Sequence, residues 1–307
     1  MREFGQSIVF ICLAVAASSG TQFAPPDLAA GVLAAAREAL GGEKKLAAVK
    51  TIIATGRTRQ VRGDNLVPIE FDIAIELPDK YVRKDEIPAQ ESGPTVSGFN
   101  GETLLQFPIP GPPPARAGGP PPPTADRMAA ADVTRLAAVK HDFARLTLGM
   151  FAGSPAGYPL TFTYAGRAEA PQGKAEVLDV KGPAGPGGFA ARLFVNADTH
   201  LPIMVTWTAP PPPMRAPSRG AGPPASASGP PPAPRGDTPP AAARQGSAGQ
   251  PSLPESRLYF GEYREVSGLQ LPFRLRRALG PDTVEETTFD GFKINAKIDP
   301  KKFEVRK

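Results

Sequence analysis

The stretch LYFGEYREVSGLQLPFRLRRAL, residues 258–279, decides the fold. It reads as two strands joined at Ser267-Gly268. In the second strand Leu269, Leu271, Phe273 and Leu275 share one face, and Gln270, Pro272, Arg274 and Arg276 share the other. Such alternation marks a strand with one apolar and one wet face. A proline in it removes a ladder donor and belongs at a strand start, a bulge or an edge. Pro272 is therefore expected near the start of its strand, on the convex side of a curled sheet, where an edge-like ladder spares one donor.

The same period recurs on both sides of this hairpin. TIIATGRTRQV (51–61) and LVPIEFDIAIEL (66–77) flank the turn composition Arg62-Gly63-Asp64-Asn65, and Val67, Ile69, Phe71, Ile73, Ile75 and Leu77 line one face of the second strand. The RGD triplets at 62–64 and 235–237 read as a turn and a repeat rather than adhesion motifs. KYVRKDEI (80–87) is a third strand, and TVSGFNGETLLQF (95–107) is a hairpin around Asn100-Gly101. LTFTYAGRAE, AEVLDVKG, ARLFVNA and LPIMVTWTA follow from residue 160, with Leu160, Phe162 and Tyr164 on one face. VEETTFDGFKINAKI (284–298) is the last strand and IDPKKFEV a terminal turn. Eleven or twelve strands in one sequence-consecutive meander imply a strongly curled antiparallel sheet or an incomplete barrel, because large open sheets curl.

Two helical stretches interrupt this pattern. Asp27 is placed to cap LAAGVLAAAREAL, which Gly41-Gly42 ends, and a short run from Glu43 to Lys50 leads into the first strand. Thr124 caps a helix over 124–150 with an apolar stripe of Val133, Leu136, Val139 or Lys140, Phe143 and Leu146. A helix embedded between strands can lie across a sheet and cover its apolar face.

Composition sets the domain plan. The chain has 307 residues, a formal charge of +5, 39 Pro and 32 Gly. The Pro and Gly excess falls in 108–123 and 209–254, which read as disordered or polyproline II inserts. Residues 1–20, MREFGQSIVFICLAVAASSG, have the charged start, apolar run and small-residue end of a secretory signal peptide, with cleavage near Ser19 or Gly20. What remains, about 220 residues of 21–307, is the size of one large β domain. Cys12 is the only cysteine and sits inside the apolar run, after Phe10-Ile11, where it does not fit a lipidation site. The mature chain therefore has no disulfide, thiol nucleophile or cysteine metal site. The location implied is periplasmic or otherwise extracytoplasmic.

Chemistry-bearing motifs are absent from the sequence. There is no GxSxG elbow, Walker A loop, strand-borne GxGxxG or HExxH. His141 and His200 have no ligand spacing, and Glu285 and Glu286 are adjacent in a strand and point to opposite faces. The C-terminal cations Arg274, Arg276, Arg277, Lys293, Lys297, Lys301 and Lys302 read as the charged guard of edge strands. No catalytic, metal or cofactor site is expected, and an exported chain is not expected to meet nucleic acid.

Two segments carry a family resemblance. ARLFVNADTHLPIMVTW (191–207) is similar to the strand, D-x-x-T turn, L-P and return strand of the LolA-like outer-membrane lipoprotein-sorting superfamily. YREVSGLQLPFRLRR (263–277) resembles that superfamily's Y-R-x-V-x-G hairpin with its P-F pair, and the leader, AREALGGEKKLAAVKTI and NAKIDPKKFEV also fit. The resemblance implies a mainly β (α+β) fold, an unclosed β-barrel with helices packed as a lid. It also implies a non-catalytic carrier of a lipid, an acyl chain of a lipidated protein or another hydrophobic ligand, peripheral to a membrane at most. Alternation puts Phe71, Ile73, Ile75, Phe162, Leu271, Phe273 and Leu275 on the apolar face as candidate ligand-binding residues. Burial under a helix and ligand binding use that face equally well. The alternative is an envelope scaffold or stress-sensor-type protein that binds polypeptide partners with the same fold, its Pro-rich inserts serving as docking or spacer segments. Excision of 209–254 tests that version: pull-down of a polypeptide partner is lost if the insert docks it, and is unchanged if it does not.

Overall fold

The computed structural model describes residues 26–88, 90, 93–109, 123–155, 157–185, 188–208 and 254–304. The leader 1–20 and nearly all of the inserts 108–123 and 209–254 lie outside the described residues. Two helices, α1 (Pro26–Ala39) and α2 (Glu43–Ala47), precede strands β1 (Thr51–Arg62), β2 (Asn65–Glu76), β3 (Lys80–Glu86), β4 (Thr95–Asn100) and β5 (Thr103–Phe107). Helix α3 (Ala125–Phe151) follows. Then come β6 (Thr161–Ala170), β7 (Gly173–Lys181), β8 (Ala190–Asn196), β9 (Pro202–Thr208), β10 (Glu255–Val266), β11 (Leu269–Leu279) and β12 (Asp282–Ile294), with a 3₁₀ turn at Pro300–Phe303.

All twelve strands form one antiparallel sheet in the order β5-β4-β3-β2-β1-β12-β11-β10-β9-β8-β7-β6. The protein is mainly β, and the sheet does not close, since β5 and β6 stand at opposite ends. It is not the single consecutive meander that the strand count implied. One meander runs outward from β1 to β5, α3 carries the chain to the far edge, and a second meander runs back until β12 pairs with β1 from Ile52↔Ile294 to Gln60↔Glu285. A 27-residue helix is about 40 Å long, enough to cross many strands spaced about 4.8 Å apart. Closing β1 on β12 ties the two ends of the chain together.

Local chemistry explains the helix ends. Gly41 and Gly42 have φ of 126° and 93°, and their N–H groups donate to Glu38 O and Arg37 O at 3.0 and 2.9 Å, which ends α1. Helix α1 begins at Pro26, so Asp27 lies in its first turn rather than at its cap, and proline suits a first helical position. Thr124 caps α3 as expected, its hydroxyl accepting the Arg127 N–H at 3.4 Å. The apolar stripe, however, describes α3 only in part. Val133 is half exposed, whereas every residue from Phe143 to Met150 is buried. The C-terminal half of α3 is enclosed on all sides, so its pattern is no longer that of a one-faced helix.

The main core lies between α1, α3 and the apolar face of the sheet, and it joins residues of α1, α3 and most strands. Phe143 packs 5.3 Å from both Tyr81 and Phe99, ring centre to ring centre. Farther along α3, Gly149 receives the ring of Phe260, and the Tyr263 hydroxyl lies 2.9 Å from Gly149 O and 2.8 Å from Pro202 O, sharing its proton between them. A small second core on the opposite face seats Ile298 and Phe303 against Ala74, Val82 and Leu105.

Pro272 sits where the ladder opens. Strand β11 pairs with β10 along its whole length but with β12 only from Arg274 to Leu279. On the free flank the Gln270 N–H turns to Leu40 O of the α1 terminus at 2.9 Å. Backbone groups alternate sides along a strand, so Pro272, two residues on, directs its missing donor to that same unpaired flank. Pro272 is buried, not on a wet surface. The cations read as edge guards also need correction, because β11 and β12 are interior strands. Arg276 instead covers the Tyr259 ring at 4.3 Å, and Arg274 reaches Glu286 at 3.5 Å.

The Gly149 contact yields a test. A Cβ built there lies 2.2 Å from Phe260 Cε1, and Phe260 is fully buried. Gly149→Ala is expected to cost about 1–3 kcal/mol of unfolding free energy by overpacking. Urea denaturation of G149A, F260L and the pair should show a double variant less destabilised than the two single effects added together.

Candidate functional site

Between α3 and the concave face of the sheet lies a cleft of about 340 Å³. Its floor is apolar: Ile69 and Ile73 of β2, Leu258 of β10, Leu275 of β11 and Phe289 of β12, with Val139 and Leu146 of α3 above. Its rim is charged, with Arg62, Arg83, Asp85, Asp142, Arg277 and Glu285. An apolar hollow with a few converging polar groups is the usual form of a ligand site. A second cleft of about 380 Å³ lies between α1, α2 and the end of α3, lined by Leu46, Val49, Leu77 and Phe151 with Arg37 and Glu43 paired at its edge.

Two polar assemblies border the cleft. The first crosses β3, β1 and β12. Arg83 Nε donates to Asp85 at 2.7 Å and its Nη2 to Thr58 Oγ1 at 3.1 Å, while the Thr58 and Thr287 hydroxyls lie 2.8 Å apart. Thr287 uses its one proton on Glu285 at 3.4 Å, so the direction is set: Arg83 gives to Thr58, Thr58 to Thr287 and Thr287 to Glu285. Gln60 adds a donation to Glu285 at 3.4 Å. Arg83 also covers Phe71 at 4.7 Å. Burial works against its charge, but Asp85, Tyr81 and Glu285 together outweigh this and hold the guanidinium above its ordinary pKa.

The second assembly lies at the α3 side. Asp142 accepts from Arg145 at 2.9 Å and from Arg277 at 3.4 Å. The Arg145 guanidinium lies 4.1 Å from the centre of Trp207, and that of Arg277 lies 5.7 Å from it. Burial pushes the Arg145 pKa down; Asp142 opposes this and Arg277 reinforces it. His141, edge-on to Phe189 at 5.4 Å, also has its pKa lowered by burial and then by Arg145, which fits a structural histidine.

The structure brings two of the seven sequence-proposed residues into the cleft, Ile73 and Leu275. Phe71 is packed edge-on to Phe289 at 5.4 Å, and Phe273 edge-on to Phe292 at 5.2 Å. Ile75 and Leu271 are fully buried, and Phe162 is half-buried against the same core. Sequence reasoning missed Arg83, Asp142, Glu285 and Arg277. A signal existed for two of them. Arg277 continues the series Leu269, Leu271, Phe273, Leu275, and Arg83 falls between Tyr81 and Asp85 on one face.

No family model and no curated protein matches this sequence. Solved structures do. The chain is similar in structure to LolA superfamily proteins. One from Nitrosomonas europaea aligns over 90% of this chain and 97% of its own, at 13% identity and a TM-score of 0.49. A candidate outer membrane lipoprotein-sorting protein domain from Vibrio parahaemolyticus aligns over the same shares at 9% identity and a TM-score of 0.43. A DUF1329 family protein from Desulfovibrio piger gives 8% identity and a TM-score of 0.41, again over 90% and 97%. At such identities the cleft has to be understood from the residues of this chain alone.

Tyr81, on the cleft wall, gives a pH test. Burial raises its phenol from the ordinary 10.0 to about 12, with Arg83 opposing. The folded state therefore holds the proton more tightly than the unfolded chain. This contribution is fully present below pH 10 and is lost as pH rises from 10 to 12. Across that window wild type is expected to lose about 2–3 kcal/mol more stability than Tyr81→Phe, as read by chemical denaturation.

Proposed function

We propose that this protein is an exported, non-catalytic carrier or binding protein for a lipid, an acyl chain or another hydrophobic ligand, held between α3 and the curled sheet. The observation that carries the reading is the cleft, with its floor of Ile69, Ile73, Leu258, Leu275 and Phe289 and its charged rim. Apolar side chains drive uptake by removing the ligand's hydrocarbon surface from water, at about 25 cal/mol per Å². The rim keeps the mouth wet and orients any polar end. Much of the remaining concave face is filled by α1 and α3, which limits the ligand that the resting protein holds to the low end of the usual range of about 300–1,000 Å³.

The site itself supports carriage rather than chemistry. Most of the hydrogen bonds of each assembly stay within it, as in Arg83–Thr58–Thr287–Glu285 and in Arg145–Asp142–Arg277, and so build a fixed wall. Residues 1–20 fit export, and with it a role in the cell envelope.

Native mass spectrometry of the protein purified from its own envelope fraction is expected to show a co-purifying hydrophobic molecule. Ile73→Phe and Leu275→Phe extend into the cleft without adding charge. They are expected to lower the binding of a fluorescent hydrophobic probe, N-phenyl-1-naphthylamine, at least tenfold while the urea midpoint changes little. Equal probe binding by wild type and both variants would remove the cleft as the site.

A further inference from the structure

Resting on that carrier reading, we infer that the Arg277–Arg145 pair beside Asp142 and Trp207 is a head-group site, and that the ligand is a single-chain amphiphile with an anionic head, a carboxylate or a phosphate ester. The first support is charge. Two guanidiniums share the one carboxylate of Asp142, so the assembly keeps one positive charge in excess. That excess is set in a poorly solvated place: Arg145 is only 9% exposed and lies against Trp207 at 4.1 Å and Phe189 at 5.6 Å. A buried cation without full compensation is costly and favours an anion that supplies it.

The second support is hydrogen bonding. The Nε–H groups of both Arg145 and Arg277 are buried and have no partner among the described residues. Buried donors in folded proteins are almost always paired, so these two are open to a water or to a ligand oxygen. Arg277 is the member that lines the cleft, and its 3.4 Å contact with Asp142 is at the long end for a charge-assisted hydrogen bond. A carboxylate or phosphate oxygen entering beside Leu275 and Leu146 takes that arginine more closely than Asp142 does, and the fork of a guanidinium fits a two-oxygen head.

The third support is the shape of the cleft. At about 340 Å³ it is near the small end for ligand cavities, which favours one hydrocarbon chain over several. With the head at Arg277, the chain runs over Leu258, Leu275, Ile73, Ile69 and Phe289. The other carboxylates of the cleft are already engaged, Asp85 by Arg83 and Glu285, across the ladder from Arg277, by Thr287 and Gln60, which leaves Arg277 to Asp142 and the incoming head.

Trp207 is the chain's only tryptophan, so its fluorescence reports on this assembly directly. The experiment titrates the full-length mature protein with dodecanoate, dodecyl phosphate, dodecanol and inorganic phosphate, following Trp207 emission and, in parallel, the heat of binding. Dodecanoate and dodecyl phosphate are expected to bind roughly tenfold more tightly than dodecanol, the value of one charge-assisted hydrogen bond to a partly buried group. Arg277→Gln is expected to bring dodecanoate down to the affinity of dodecanol, and Arg277→Lys to keep part of the difference. Should Arg277→Gln not fold, Asp142→Asn supplies the reading. It removes the competing carboxylate and is expected to widen the preference, and an unchanged or narrower preference overturns the proposal. Equal binding of dodecanoate and dodecanol by wild type overturns the head-group site but leaves the carrier reading standing. Inorganic phosphate acting as strongly as dodecyl phosphate overturns it in favour of a free-anion site. If none of the three amphiphiles binds, the carrier reading falls with it.

Discussion

The seating of α3 on the concave face is the contact on which the rest of the structure depends. The helix carries the chain from one meander to the other and packs on both, while β1 pairs with β12 at the seam between them. Its grip is local and specific. Phe143 wedges against Tyr81 and Phe99 on the first meander, and Gly149 admits Phe260 while its carbonyl takes the Tyr263 hydroxyl on the second. Aromatic pairs of this kind add about 0.5–1.5 kcal/mol each beyond the burial of their area. Without such a bridge, a twelve-stranded sheet that never closes would rely on the β1–β12 ladder, the α1 terminus and the small second core to hold its halves in one curvature.

The same contact creates the cleft. Helix α3 is buried from Phe143 to Met150, but toward its N-terminus Val133 and Met128 are exposed. The cleft opens at the transition, beside Val139, Asp142 and Leu146. Core and cavity are therefore successive stretches of one interface, and a fully apolar helix face would fill the site. Asp142 and Arg145, one turn apart, interrupt that face and hold polar groups at its border.

Much of the architecture was legible in the sequence because strands carry their pattern locally. The hairpin at 258–279, the Asn100-Gly101 turn and the Thr124 cap each reside in a few neighbouring residues whose chemistry admits few conformations. Pro272 was legible too, as a mark of an interrupted ladder, although the reason for the interruption was not. That reason is the α1 terminus, whose Leu40 carbonyl takes the Gln270 donor from more than two hundred residues away in the chain. The site was legible only in part. Alternation assigns a residue to a face but not to a place on it, so Ile75 and Leu271 deep in the core look the same as Ile73 and Leu275 at the cleft.

By itself the sequence determined a mainly β chain with helices at two points, a hydrophobic face running through nearly every strand, and long Pro-rich segments unsuited to a packed core. These follow from periodicity and composition, which act between near neighbours. Only the tertiary structure decided that β12 closes on β1, that β5 and β6 stay apart, and that Arg277 turns inward to meet Arg145 at Asp142. Pairing partners and the balance of buried charge depend on groups brought together by the fold. Their energies are set by distance and solvent exclusion, and neither quantity is written along a chain.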